Sequence, residues 1–200
     1  MKKKDWDHRF SMDDYLFGKE PAKALLKLEN YLAPNGETFV VADAEGRNSV
    51  YLASKGYKVT ASDYSKVANE KAQELALSRS VKVNYRVEDF FDIDWSEKQY
   101  DYVVGICFQF VPPQKINEAL LGLRAATKKG GILLIHGYIP DQIELGTGGP
   151  KDVSLMYTKK TFTNVFKDDE IIVNEEYRAN LSEGVGHNGT SAMIDFIARL

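Results

Sequence analysis

Residues 37–63, ETFVVADAEGRNSVYLASKGYKVTASD, constrain the fold more than any other stretch of the chain. Positions 38–42 form an apolar run too short for a helix, which predicts a buried strand. A turn follows at 43–46. Residues 47–55 carry helix formers and stop at Gly56, a residue suited to the left-handed position just past a helix end. Residues 57–62 predict a second strand, with Val59 and Ala61 on one face, and Asp63 ends it. Strand, glycine-bearing turn, helix, strand and acid make the opening βαβ unit of a nucleotide-binding α/β sheet. A carboxylate at the end of the second strand can accept hydrogen bonds from both hydroxyls of a ribose. The same Asp63 is also open to reading as a helix N-cap, although Ser65 can take that part.

The rest of the chain extends the pattern. Pro21 suits the first turn of a helix, and Leu25, Leu28 and Leu32 give it an apolar stripe ending before Pro34 and Gly36. Residues 66–79 predict a helix with Ala68, Ala72, Leu75 and Ala76 on one face, and 81–87 a third strand. The run YDYVVGICFQF at 100–110 reads as a central strand buried on both faces, broken by Pro112-Pro113. A helix lined by Ile116, Ala119, Leu120 and Leu123 follows. Gly130-Gly131 then turns into a buried strand at 132–135 that ends at His136. Beyond Pro140 the texture loosens into turn residues, which in a compact domain marks a functional or mobile loop. A short helix at 158–166, a strand at 171–178, a glycine-punctuated connection at 181–190 and a last strand at 191–200 close the chain. The last two strands are expected to pair antiparallel at one edge of a mostly parallel sheet with helices on both faces.

The 200 residues favour one domain with a real core. A formal net charge of -3 argues against a broad nucleic-acid surface. Cys107 is the only cysteine, so the chain has no internal disulfide and no cysteine-based metal cluster. Lys2 to Lys4 imitate the basic start of a signal peptide, but acids rather than an apolar core follow, and no run reaches the length of a membrane span. A reducing, cytoplasmic location is the expectation.

Several blocks, DWDHRF…DDYLFGKEP, EGRNSVYLASKGYKVTASDYS, YDYVVGICFQFVPP, KKGGILLIHGYIP, GTGGP and EGVGHNGTSA, together cover almost the whole chain. In these the sequence resembles a class I S-adenosylmethionine-dependent methyltransferase. More narrowly, it is similar to the small bacterial group that includes the tellurite-resistance-type methyltransferases. The resemblance implies an α/β, Rossmann-like, seven-stranded, mostly parallel sheet with helices on both faces and an antiparallel edge strand. It implies one methyltransferase domain over 1–200: an N-terminal lid and helix (1–35), a nucleotide-binding core (36–140), and acceptor-side loops with the C-terminal strands (141–200). It also implies S-adenosyl-L-methionine as cofactor, a small-molecule acceptor such as a thiol or oxyanion, no metal, no nucleic-acid or membrane partner, and a monomer or homodimer.

Residue by residue, the resemblance assigns the ribose to Asp63 and a flank of the adenine to Tyr64. Asp89 would take the adenine amino group, Phe90 would pack beside the ring, and Ile106 would lie beside the methionine half. The turn VVADAEGRN departs from the pattern. The family has an acid at the Val40 position and glycines at the Ala42 and Ala44 positions, and of the glycines only Gly46 remains. Asp43 and Glu45 are candidates to replace part of the missing charge. An alanine methyl penalises positive φ and close backbone approach. The departure therefore keeps a second reading open: a catalytically degenerate fold that binds a nucleoside or a partner. A nicotinamide-dependent oxidoreductase is disfavoured, since it needs glycines that this turn lacks.

Methyl transfer is an in-line displacement that gains from a dry pocket and from alignment. A protonated acceptor needs a base, whereas a soft anion does not. His187 matches a family position near the acceptor and titrates near neutrality, and it reads equally as a surface histidine. Arg9 and Arg178 are candidates to hold an anionic acceptor, or else make surface ion pairs. His136 faces the ligand end of the sheet, with a structural hydrogen bond as the favoured role. Cys107 reads as a small buried hydrophobe. Trp6, Tyr15 and Phe17 either fasten the N-terminus or cover a bound ligand.

Overall fold

The computed structural model describes residues 3–200, with side chains described from Asp5 onward. Seven strands form one sheet in the order β3-β2-β1-β4-β5-β7-β6. They are β1 (Glu37–Val41), β2 (Lys58–Asp63), β3 (Asn84–Val87), β4 (Tyr100–Ile106), β5 (Thr127–Tyr138), β6 (Glu170–Glu183) and β7 (His187–Arg199). Strands β1 to β5 are mutually parallel. β7 slots in antiparallel between β5 and the outermost strand, β6.

The helices that place the site are α1 (Lys3–Phe10), α2 (Lys23–Leu28), α3 (Arg47–Ser54), α4 (Lys66–Ser78) and α5 (Ile116–Ala125), followed by the short α6 (Gln142–Leu145) and α7 (Lys159–Thr163). Each central strand is apolar on both sides because each side has its own helices. Phe39 and Val41 of β1 join Val103, Leu133 and Phe196 against α5 and α7. Val40 joins Val104, Leu134 and Ile197 against Leu25 and Leu28 of α2 and Leu52 of α3. Val40 thus stands in dry core, at the place where the resembled family carries an acid. No helix among the described residues is long and apolar enough to cross a membrane.

Several elements differ from expectation in extent, β3 starting only at Asn84 and α7 ending at Thr163. β4 stops at Ile106, because Cys107 turns into the left-handed region at φ 56°. β5 starts at Thr127, and its register slips against Tyr100 and Tyr102. The expected turn at Gly130 (φ 78°) survives as that irregularity. The glycine-punctuated stretch is mostly strand: β6 and β7 pair from Glu170↔Arg199 to Glu183↔His187, leaving only residues 184–186 as the tip.

Candidate functional site

The parallel strands β1, β2, β4 and β5 end together, and at such an edge an open α/β sheet presents its crevice. The turn after β1 keeps a left-handed path although two of its residues are alanine: φ is 50° at Ala42, 53° at Ala44 and 88° at Gly46. Gly46 has a packing reason to be glycine, since a Cβ there would lie 2.6 Å from the Ala72 Cβ of α4. The alanines have no such relief. Left-handed backbone costs an L-residue roughly 1–2 kcal/mol. Glycine's greater freedom when unfolded cancels part of that. Ala42→Gly and Ala44→Gly are each expected to stabilise the chain by about 0.5–1 kcal/mol, read as a higher urea midpoint. A lower midpoint in both would contradict the strain.

Asp63 closes onto this turn. The Ala44 N–H donates to its Oδ2 at 2.9 Å and the Ser65 N–H to its Oδ1 at 2.9 Å. Ser65, not Asp63, caps α4, its Oγ accepting the Ala68 N–H at 3.1 Å. Burial raises the Asp63 carboxyl above its ordinary range, and nearby Asp7 adds to the rise against the backbone bonds from Ser65, Ala44 and Tyr64. Burial likewise pushes Asp43 up to about 8, with the Ser49 N–H on one oxygen and none of the described residues bonded to the other.

The N-terminal segment lies across the same edge. Phe10 and Leu16 pack with Ala68, and Trp6, Phe17, Ala44 and Val67 border them. Glu45 reaches this segment: its Oε2 accepts the Leu16 N–H at 2.7 Å, and its Oε1 lies 2.5 Å from Lys71 Nζ. Lys71 also donates to the carbonyls of Phe10, Met12 and Asp14. The tip of the β6–β7 hairpin holds the segment from the other side. Gly186 N–H donates to Leu16 O at 2.9 Å, and Glu183 accepts the Lys23 N–H at 2.9 Å. Between them Arg47 Nη1 donates to Phe17 O at 3.0 Å and to Glu183 Oε2 at 2.8 Å, both side chains being under 10% exposed. The aromatics therefore fasten the N-terminus, beside the β1 turn and the hairpin tip.

On the β5–β7 side, His187 sits between Phe17 and Tyr138, with ring centroids 4.5 and 5.6 Å away, and its Nδ1 is 3.8 Å from Glu183 Oε2. Burial lowers its pKa, opposed by Glu183 and helped by Arg47 and His136. Next to it His136 Nδ1 lies 2.8 Å from Asp195 Oδ1. Asp195 also takes Tyr177 Oη at 3.0 Å and Lys27 Nζ at 2.7 Å. Cys107, Tyr138, Met156, Leu181 and Met193 form one cluster here, and burial pushes the Cys107 thiol up to about 12, so it is neutral.

A family model described as a methyltransferase domain matches residues 40–131, from the end of β1 through α5 into the start of β5. In the crystal structure of TehB from Haemophilus influenzae the same architecture recurs with a TM-score of 0.72 over 89% of this chain and 62% of that one, at 19% identity. The fold is that of a class I S-adenosylmethionine-dependent methyltransferase. The curated TehB of that organism, named a probable S-adenosyl-L-methionine-dependent methyltransferase, is 24% identical over 163 residues, covering 78% of this chain. The chain spans about half the length of that relative, 53%. The methyltransferase fold also recurs in the N-methyltransferase NodS from Bradyrhizobium japonicum, whose crystal structure holds S-adenosyl-L-homocysteine. That likeness has a TM-score of 0.74 at 12% identity and covers 99% of this chain and 98% of that one.

In this methyltransferase fold Asp63, Asp43, Glu45, Gly46 and Ile106 gather at the ends of β1, β2 and β4. Tyr64 is half-buried beside them; burial and the carboxylates of Asp63, Asp7, Asp89 and Asp5 push its hydroxyl up to about 12. Asp89 is exposed and caps the short turn Phe90–Asp92, its Oδ1 accepting the Phe91 N–H at 3.0 Å. Phe90 lies in the α5-side core, stacked on Phe108 at 5.7 Å. Arg9 covers the Trp6 ring at 4.5 Å, and Arg178 pairs with Asp141 at 3.5 Å with both side chains mostly exposed. Glu183, Lys71 and Asp195 enter the site without having stood out in the sequence. Asp195 did carry a signal, a lone acid in an apolar strand, which is rare unless paired.

Proposed function

We propose that the chain transfers the methyl group of S-adenosylmethionine to a small acceptor molecule. The observation that carries this is Asp63. Its oxygens take backbone N–H groups of Ala44, Ser65 and Tyr64, and a carboxylate's roughly four lone-pair sites leave room to accept from a ribose hydroxyl. The residues therefore fit the adenosyl group at its ribose, with Tyr64 beside it. When bound, the sulfonium supplies an activated methyl carbon. The protein's part is to orient and to exclude water. The N-terminal segment closes over the mouth, and His187 presents the acceptor wall between Phe17 and Tyr138. Arg9 stays with the lid and Arg178 with the outer face of β6 in this reading, which sets the acceptor inside, beside Cys107. Calorimetric titration with S-adenosylhomocysteine tests it: saturable heat is expected, and none at millimolar ligand would overturn it.

One observation favours the second reading, a degenerate fold that binds without turnover. The alanine methyls at 42 and 44 stand where the amino-acid end of the cofactor comes close, on a backbone that favours glycine. Binding without methylation of any thiol, amine or oxyanion would select it.

A further inference from the structure

We infer that His136, held by Asp195, is the group that takes the acceptor's proton, and that the acceptor is a neutral, proton-bearing nucleophile, a thiol in particular, rather than an anion. This rests on the methyl-transfer reading and names the acceptor class for the same site.

The first support is a fixed tautomer. Asp195 is fully buried, yet it is surrounded by donors from three elements: His136 of β5, Tyr177 of β6 and Lys27 of α2. Burial alone would raise its pKa; the bonds from His136 and Lys27 outweigh burial and hold it below the usual carboxylate range. An ionised Asp195 only accepts, so the proton of a neutral His136 sits on Nδ1 and the lone pair on Nε2. None of the described residues hydrogen-bonds that Nε2. Asp195 belongs to β7, which flanks β5 on one side, and β4 flanks it on the other. There Ile106 pairs with His136, and the Cys107 N–H donates to the His136 carbonyl at 2.8 Å. That strand end is where the methionine half of the cofactor belongs.

The second support is charge. An anionic acceptor needs a free cation, and the cations Arg47 and Lys27 on this side of the sheet are committed. Arg47 is bound by Glu183 at 2.8 Å, and Lys27 by Asp195 at 2.7 Å with Glu175 at 3.9 Å. Two cations therefore face three carboxylates around His136, with His187 and Tyr138 the other titratable groups beside it. The third support is the neighbouring packing. Cys107, Met156 and Met193 pack with Tyr138 and Leu181 in one sulfur-rich apolar cluster. Such polarisable surface suits a soft nucleophile and offers no bonds to a hydrated oxyanion.

In the step, the X–H bond of the acceptor breaks, its electron pair stays on X, and the proton goes to His136 Nε2. The positive charge the imidazole gains is the one the methyl donor gives up, so the step adds no net charge to the site. Asp195 is a positioning residue: it fixes the ring and stabilises the imidazolium.

Two measurements on the full chain test this. Without cofactor, ring 15N–1H correlation spectra at pH 8 should show His136 protonated at Nδ1 and bare at Nε2, and the opposite tautomer would overturn the inference. With S-adenosylmethionine present, 2-mercaptoethanol should be methylated in preference to selenite. His136→Asn should lower kcat on the thiol roughly 100- to 10,000-fold, the usual worth of a general base, with the heat of S-adenosylhomocysteine binding kept. Its residual rate should climb with pH as the thiol ionises by itself. Selenite as the better acceptor, or an unchanged pH profile in His136→Asn, would sink the inference while leaving methyl transfer standing. No binding heat in the wild type would sink both.

Discussion

Asp63→Ala should weaken S-adenosylhomocysteine binding by at least about 100-fold. A hydrogen bond to a charged group is worth about 1.5–3 kcal/mol, and every 1.4 kcal/mol or so is a factor of ten. Losing two ribose bonds from one carboxylate therefore removes about two to four powers of ten. The same substitution strips the acceptor from the amides of Ala44 and Ser65, so the β1 turn loosens as well. Calorimetry is to be paired with urea unfolding, so that affinity is compared only where the variant is folded. A folded Asp63→Ala chain that binds with undiminished affinity would remove the cofactor assignment.

The second large effect belongs to the buried pair Arg47–Glu183. Removing one partner leaves the other charge unpaired away from water, which costs about 3–5 kcal/mol. Arg47→Ala and Glu183→Ala should each lower the urea midpoint by that measure. The double replacement Arg47→Met, Glu183→Leu should cost far less, because no charge is stranded. A double variant as unstable as the singles would mean that shape rather than charge carries the contact. The pair also sets an acid limit. Burial pushes the Glu183 carboxyl up, but His187, Arg47 and the Lys23 N–H outweigh burial and hold it at about 2, below the ordinary 4.5. A depressed carboxyl gives stability that is present above its unfolded pKa and lost as pH falls toward the folded one. Unfolding midpoints should therefore drop between about pH 4.5 and 2 in the wild type, and Glu183→Gln should lack that part of the drop.

The βαβ opening was legible because its signals are local. The apolar run at 38–42, the stop at Gly56 and the acid at 63 lie within one unit of chain, and β1, α3 and β2 follow them closely. The end of the chain was less legible. Glycines at 184, 186 and 189 read as a loop, yet Gly189 lies inside β7, and at the tip Gly184 takes φ 66°, where an added Cβ would meet the backbone of Gly18. That requirement comes from a segment more than 160 positions away, which no window of sequence contains. The same holds for Arg47 and Glu183. Glu45 shows the limit from the other direction. Its place in the turn suggested a role toward a ligand, while its charge is spent on Lys71 and the Leu16 amide. Local pattern fixes elements, and partners across the fold decide what a polar side chain does.

The N-terminal segment is held in two halves of very different reach. Lys71 and Ala68 of α4 hold it from about 60 positions away, whereas the contacts of Leu16 with Gly186 and of Lys23 with Glu183 come from a hairpin about 160 to 170 positions away. Contacts of such long sequence separation are slow to close, so the hairpin half is expected to form after the α4 half as the chain refolds.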